Sequence, residues 1–366
     1  MIRLAISKNG PIALDIGSNS VKMLQFTRNN GQISVAAADK IQCKPQLTDD
    51  PQQRKSFIVD SIQEMIRRGG FSGTKVVSCL PNQDVKIKSL RLDPAAAENI
   101  DGQLKEELAE RFNIDPDKDE IRRITAGKVY TGTELKDEVI FFVTQRETIL
   151  NQIELIEEAG LIPEAIDPVP CAVLRSFQRS MRRQEDQEIV RSFVDIGNLS
   201  TTVMIGSCNQ ILFIKQISAG GKQFNENVST KLGIGIEEAM LLRSKIQHGN
   251  TDSINNSTKQ AVADAMSHSI EQLSREISMC FKYCAVTFRG KHPEEVIITG
   301  GEAYENVLTD ALGKYLNIDV KIGRPLEGIE LCNTSFGWDQ NSSLSEWAVT
   351  VGLGLKNWQV NNYVSN

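Results

Sequence analysis

Two aspartates, Asp15 and Asp195, stand half a chain apart in near-copies of one phrase, ALDIGSNSVKML at 13–24 and FVDIGNLSTTVMI at 193–205. In each, an apolar run ends in Asp-Ile-Gly, a small polar stretch follows and a second apolar run returns, which reads as strand, tight turn and strand. A carboxylate at such a strand end suits a hydrated Mg²⁺, which takes carboxylates, waters and phosphate oxygens. Gly17 and Gly197 let backbone N–H groups approach a phosphate, and Ser18, Ser20, Ser200, Thr201 and Thr202 add hydroxyls around the same spot. Alone, each phrase is equally ordinary hairpin punctuation, since Asp and Gly favour turns on conformational grounds. The duplication points to two related halves facing one nucleotide cleft.

A third element lies near the C-terminal end. EEVIITGGEAYENVLTDALGKYL, 294–316, reads as a β-branched strand, a double glycine and a helix with apolar residues at Val307, Leu308, Ala311, Leu312 and Leu316. Gly300 and Gly301 at that junction allow backbone approach to a flat ring or a ribose, and the helix start favours anionic groups. The three pieces in this order resemble the nucleotide signature of the actin, sugar-kinase and seventy-kilodalton heat-shock superfamily. The resemblance implies a duplicated, actin-like (ribonuclease H-like) α/β fold of two domains, each a mixed five-stranded sheet flanked by helices, with ATP or ADP and Mg between them.

The elements that must position these turns narrow the family. KVVSCLPNQDVKIKSL, 75–90, reads as two strands, and LKEELAERFNI as a short helix opened by Asp101. Strands ITAGKVY and EVIFFVT, helix RETILNQIELIEEAGL and strand EAIDPV follow. A block so patterned is too long for a loop and reads as an inserted subdomain. Its order, and the phrase ELIEEAGLIPEAIDPVPCAVLRSF, resemble the PilM-type type IV pilus assembly proteins and their relative FtsA of cell division. The likeness continues through ISAGGKQFNENV, LGIGIEEAMLLRSK and WAVTVGLGLK. It implies a first domain at 1–74, an insert at 75–165, a connecting helix and linker at 166–190, a second domain at 191–344 and a return to the first domain at 345–366.

By resemblance the residues take roles. Asp15 and Asp195 would hold the metal through its waters. Gly17, Ser18, Asn19 and Ser20 would line the phosphates in the first turn, with Gly197, Asn198, Ser200 and Thr201 in the second. Lys22 sits where some relatives place a phosphate-contacting lysine, although a strand position after the turn could equally face solvent. Gly220 and Gly221 match the double glycine before the second domain's helix, and Gly300, Gly301 and Glu302 form the adenosine turn. Met240 and Arg243 stand where relatives often carry a Glu and a Lys on the adenosine side. Hydrolysing relatives place a Glu or Gln in the interdomain segment to orient water; here AIDPVPCAVLRSF offers only Asp167, whose side chain is shorter. Slow hydrolysis at most is the expectation.

Composition sets outer bounds. Over 366 residues the 40% hydrophobic content supplies cores for two domains and an insert, and the net charge of −6 gives no basic excess for nucleic acid. The longest apolar run, VIFFV at 139–143, is a buried strand and not a membrane span, and the start lacks a signal-peptide block, so a cytoplasmic location is expected. Seven cysteines (Cys43, Cys79, Cys171, Cys208, Cys280, Cys284 and Cys332) show no paired spacing. Cys280 and Cys284, one helical turn apart, could seat a metal with His268 or His292, but core packing is the default. SMRRQEDQE at 180–188 reads as a linker and QHGNTDSINNSTKQ at 247–260 as a surface loop.

The expected function is an assembly protein. The resemblance implies that it binds the N-terminal cytoplasmic segment of a PilN-like inner-membrane partner between the first domain and the insert. It also implies links to pilus motor ATPases and possible self-association. A sugar or small-molecule kinase would need a catalytic carboxylate and a substrate loop that are not recognisable here. An FtsA-like division protein would need a basic amphipathic end, which KNWQVNNYVSN does not supply.

Overall fold

The computed structural model describes residues 8–29, 31–43, 50–94, 102–181, 186, 189–207, 210–249, 254–331 and 342–358. The chain divides into two compact units, residues 1–182 with 324–366, and residues 183–323.

The first unit is built on a six-stranded sheet. The hairpin β1 (Lys8–Ile16) and β2 (Ser20–Asn29) continues antiparallel into β3 (Gln32–Gln42), while β4 (Lys75–Cys79) and β8 (Ile162–Asp167) extend β1 in parallel. The order is β14-β3-β2-β1-β4-β8, where β14 (Glu330–Leu331) is a short parallel addition beside β3. That sixth strand exceeds the five implied by the family likeness. Helix α1 (Pro51–Arg68) starts where Asp50 accepts from the N–H groups of Gln52 and Gln53 with Pro51 behind it. Its Ile58, Val59, Ile62 and Met65 meet Ile12, Leu14, Ile16, Val21 and Met23 on one sheet face.

A three-stranded sheet, β5-β7-β6, is formed by β5 (Lys86–Leu92), β6 (Asp119–Thr131) and β7 (Glu134–Gln145). Helix α2 (Gly102–Phe112) covers it through Leu104 and Leu108 against Leu90, Val139, Phe141 and Val143. This separately cored layer is narrower than the expected 75–165 insert. β4 and β8 belong to the first sheet, and α3 (Arg146–Glu158) places Ile156 in the core of that sheet. Asp101, the expected start of α2, lies outside the described residues. Opposite α1, helix α4 (Val169–Phe177) crosses α9 (Ala348–Gly354) so closely that a Cβ on Gly352 would stand 1.7 Å from the Ala172 carbonyl oxygen.

The second unit holds a five-stranded sheet ordered β11-β10-β9-β12-β13, from β9 (Arg191–Ile196), β10 (Thr201–Ser207), β11 (Gln210–Ile217), β12 (Glu295–Thr299) and β13 (Asp319–Ile322). Its helices are α5 (Gly221–Leu232), α6 (Ile236–Gln247), α7 (Asn256–Thr287) and α8 (Asn306–Leu316). The boundary falls at 323 and not at 344, because β14 pairs with β3 of the first unit. The loop expected at 247–260 is also shorter. Asn255 caps α7 by accepting from Thr258 N at 2.8 Å, so the polar run Asn-Ser-Thr is a helix start. Most of the expected 180–188 linker lies outside the described residues. Among the described residues no helix is long and apolar enough to cross a membrane.

Cys280 and Cys284 lie on the buried stripe of α7 with Ile270, Leu273 and Ile277, and no described group of three His, Cys, Asp or Glu is arranged to hold a metal. Burial pushes the thiols of Cys171 and Cys284 up to about 12 and that of Cys280 to about 11. Since the thiolate is the reactive form, Cys43, Cys79, Cys171, Cys280 and Cys284 should resist a thiol reagent in the native protein and react in denaturant. Mass spectrometry of the labelled sites checks this; rapid native labelling of Cys280 or Cys284 would contradict it.

Candidate functional site

Asp15 belongs to the first unit and Asp195 to the second. In the first, the β1–β2 turn closes with Gly17 N donating to Ser20 O at 2.9 Å, and Asn19 O accepts from Cys43 N at 2.8 Å. Ser18 and Asn19 are half-buried at the tip, whereas Ser20 is buried. Asp15 and Lys22 face each other across the hairpin, and their charged ends meet at 3.0 Å. Lys22 therefore turns toward the candidate metal carboxylate and not toward solvent. Arg54 of α1 donates to the carbonyls of Gly17 at 2.9 Å and Ser18 at 3.4 Å, adding a cation beneath the turn. Nothing local in the sequence marks Arg54, because its role depends on how α1 docks.

In the second unit three segments converge on Asp195. Gly197 N donates to Ser200 O at 3.0 Å, repeating the first turn. The start of α5 leans on that turn: Gly221 N donates to Gly197 O at 3.0 Å and Lys222 N to Asn198 O at 2.8 Å. A Cβ at Gly220 would lie 2.3 Å from the Gly197 carbonyl oxygen, so a side chain would drive the helix off the turn. The 300–305 turn closes the group. Glu302 N donates to Ile196 O at 3.2 Å, and Gly300, at φ +93°, would bring a Cβ within 2.7 Å of Asp195 Oδ1. Only glycine fits such a position without strain. Gly301 is exposed, with nothing near where its Cβ would be.

Two expected ligand contacts are otherwise engaged. Thr201 is fully buried and donates its hydroxyl to Ala219 O at 2.7 Å, holding β10 to the segment before α5. Arg243 is 2% exposed, beneath the 300–305 turn. Its Nη2 lies 2.5 Å from Glu302 Oε2 and 3.2 Å from Glu305 Oε2. Nη1 donates to Asn225 Oδ1 at 2.7 Å and Gly221 O at 3.4 Å, Nε meets Met266 Sδ at 3.1 Å, and the guanidinium lies 5.4 Å from the Phe224 ring centre. A guanidinium has five N–H donors, and these contacts use all five. Arg243 thus ties α5, α7 and the turn together from below, while Met240, one turn earlier on α6, is half-buried. Burial pushes the Glu305 carboxyl up, Arg243 opposes this, and Glu302 adds to the rise.

Asp167 is a correction. It is 2% exposed, with Oδ1 held by Lys356 Nζ at 2.7 Å and Oδ2 2.7 Å from Arg175 Nη1. Arg175 Nη1 also donates to Gly352 O at 2.9 Å, so the carboxylate joins β8, α4 and the end of α9. A carboxylate committed to two cations in the core is not placed to orient water.

A separate groove of about 540 Å³ runs between the three-stranded sheet and β8, lined by Leu80, Val85, Phe142, Ile149, Leu150 and Ile153 with Pro163 to Pro168. Glu120, Arg122 and Arg146 border it. Leu150 is 62% exposed, and β8 is the last strand in its sheet, which leaves its outer backbone edge without a strand partner among the described residues.

The sequence profile of the family described as type IV pilus assembly protein PilM matches residues 13–358. Among solved structures the chain is similar to a PilM–PilN type IV pilus biogenesis complex, with a TM-score of 0.78 and 18% identity over 96% of this chain and 99% of that one. It is also similar to ethanolamine utilization protein EutJ from Carboxydothermus hydrogenoformans, with a TM-score of 0.55 and 13% identity over 95% and 89% of the two chains. Cell division protein FtsA of Bacillus subtilis (strain 168) is 19% identical over 264 residues, 67% of this chain; the chain thus spans 58% of the length of that curated relative. The actin-like architecture expected from the three turns is the fold of this chain.

Proposed function

The chain belongs to the PilM family of type IV pilus assembly proteins, and we propose that it is an actin-like, ATP-binding assembly unit that docks the N-terminal segment of a PilN-like inner-membrane protein. The observation that carries the docking half is the groove beside β8, which combines an apolar floor with an open strand edge. An extended peptide could pair its backbone with β8 and set alternate side chains against Phe142, Leu150 and Ile153. The pairing of PilM with PilN in the similar solved complex favours this occupant. Such a partner would hold the protein at the cytoplasmic face of the inner membrane, where motor ATPases and further copies of the chain could be engaged.

The nucleotide half rests on the glycine turns. Cβ atoms at Gly220, Gly221 and Gly300 would collide with Gly197, Glu302 and Ile196, so these glycines let the three segments close on Asp195, and Gly301, with open space where its Cβ would be, leaves backbone accessible to a ribose or a phosphate. Asp15 in the first unit and Asp195 in the second are each suited to the water shell of Mg²⁺, which would supply charge neutralisation of the phosphates. Gly17, Ser18, Asn19 and Ser20 in one unit, and Gly197, Asn198 and Ser200 in the other, would offer amides and hydroxyls. Gly300, Gly301 and the backbone of Glu302 would face the nucleoside, the Glu302 carboxylate being held by Arg243 beneath the turn.

Fluorescence anisotropy with a PilN-like N-terminal peptide tests the docking. Leu150→Glu, a surface change, should weaken binding about tenfold, the order of one lost apolar contact plus a misplaced charge. Equal binding by a folded variant would place the partner elsewhere. Calorimetry with ATP and Mg²⁺ tests the second half: Asp15→Ala and Asp195→Ala should each lower affinity at least tenfold while remaining folded, and unchanged affinity in both would remove the assignment.

A further inference from the structure

Lys40 lies on β3, outside both glycine turns. It pairs in register with Lys22 of β2, which pairs with Asp15 of β1. Directly opposite residues on neighbouring strands share a sheet face, about 4.8 Å apart. The neighbouring row fixes which face this is. Met23 pairs with Asp39, Met23 lies in the core under α1, and Asp39 is bound by Arg68 of α1 at 2.8 Å. Lys22 and Lys40 therefore project from the other face, in one row with Asp15.

The row is unusual in its charge. Two ammonium groups occupy adjacent positions on neighbouring strands, where like charges repel. Lys22 has Asp15 at 3.0 Å; Lys40 is half-buried, and no described carboxylate lies within ion-pair distance of it. Burial pulls the Lys40 ammonium down, the Glu346 charge opposes this, and Lys22 adds to the fall. A half-buried cation without a direct counter-ion, beside a second cation at the end of a glycine turn, is a place where an anion gains on entry.

We propose that Lys40, together with Lys22, forms a two-cation seat for a terminal phosphate of the bound nucleotide, on the sheet face that carries Asp15. This rests on the nucleotide reading above and adds a residue that the first turn alone does not reveal. The β- and γ-phosphates bring the charge the row lacks, whereas adenosine brings none, so Lys40 governs the phosphate part of the affinity only.

The test is calorimetric titration of the full chain with ATP, AMP and adenosine, each with Mg²⁺, for the wild type, Lys40→Gln and Lys40→Arg. The expected result is a loss of about tenfold in ATP affinity for Lys40→Gln, the order of one charge-assisted hydrogen bond. Adenosine affinity should not change, and Lys40→Arg should recover most of the loss. Equal ATP affinity in Lys40→Gln overturns the seat, as does an equal loss for ATP and adenosine, which would mark a purely structural role. A wild type that binds none of the three ligands removes the nucleotide reading itself and the seat with it. A second measurement needs no variant: ATP with Mg²⁺ should slow acylation of Lys40 by an amine reagent, read by mass spectrometry, and adenosine should not. Equal labelling with and without ATP, at concentrations where ATP is bound, also overturns the proposal.

Discussion

Arg243→Ala should destabilise the 183–323 unit by roughly 3–5 kcal/mol, the cost of removing one partner from a buried charge cluster. The alanine leaves Glu302 and Glu305 buried without their cation and removes the donor that Arg243 gives to the carbonyl of Gly221 and the side-chain amide oxygen of Asn225. Arg243→Lys should recover little, because an ammonium has three donors where five contacts are made. Hydrogen exchange localises the effect: amides of 220–232 and 300–316 should exchange faster, and those of α1 should not. Wild-type protection in a folded Arg243→Ala chain would show that the cluster is not what holds the turn. The Glu305 shift gives a pH sign. Its carboxyl binds a proton more readily in the folded state than in the unfolded chain, so its contribution to stability falls as pH rises through the ordinary glutamate range. Glu305→Gln should flatten that part of the stability curve.

The parts of this molecule that were legible in the sequence are those fixed locally. Asp15 with Lys22, and Asp195 with Thr202, are register partners across hairpins whose turns are a few residues long, so an apolar–polar pattern and one glycine suffice to place them. The Gly300 turn was legible for a similar reason: a left-handed position between a β-branched strand and a helix leaves a mark in composition. What escaped depends on long-range docking. Arg54 reaches the first turn only because α1 packs on β1 and β2. Lys40 enters the Asp15 row only through the β2–β3 register. Arg243 read as a ligand contact because a basic residue on a helix says nothing about which acceptors surround its tip. The first turn of α7 read as loop because the residues that cap helices also favour loops. The 75–165 block read as one piece because a short buried strand such as VVSC does not announce which sheet it joins.

Asp167→Ala should cost roughly 3–5 kcal/mol in the first unit, again as a buried ion pair broken from one side. With the carboxylate gone, Arg175, itself 2% exposed, retains only the Gly352 carbonyl among its strong partners, and Lys356 loses its acceptor. The closeness of α4 and α9 leaves no room for the helices to part and admit water to the guanidinium without separating Gly352 from Ala172. Denaturant unfolding followed through Trp347, which is 1% exposed in the same unit, measures the loss. The expectation for chemistry is the opposite of that for a water-orienting acid. Under conditions where the variant is folded and ATP is saturating, a single-turnover assay should give a hydrolysis rate within about threefold of the wild type, because removing a group that acts on the transition state changes the chemical step and removing a structural one does not. Conversely, a folded Asp167→Ala chain of wild-type stability whose hydrolysis had collapsed would return Asp167 to the reaction and require the ion pair to open when nucleotide binds. A Lys356→Met variant separates these outcomes further: it removes one of the two cations at Asp167 and should lower stability by less than Asp167→Ala, since Lys356 is partly exposed and its own loss leaves Arg175 in place.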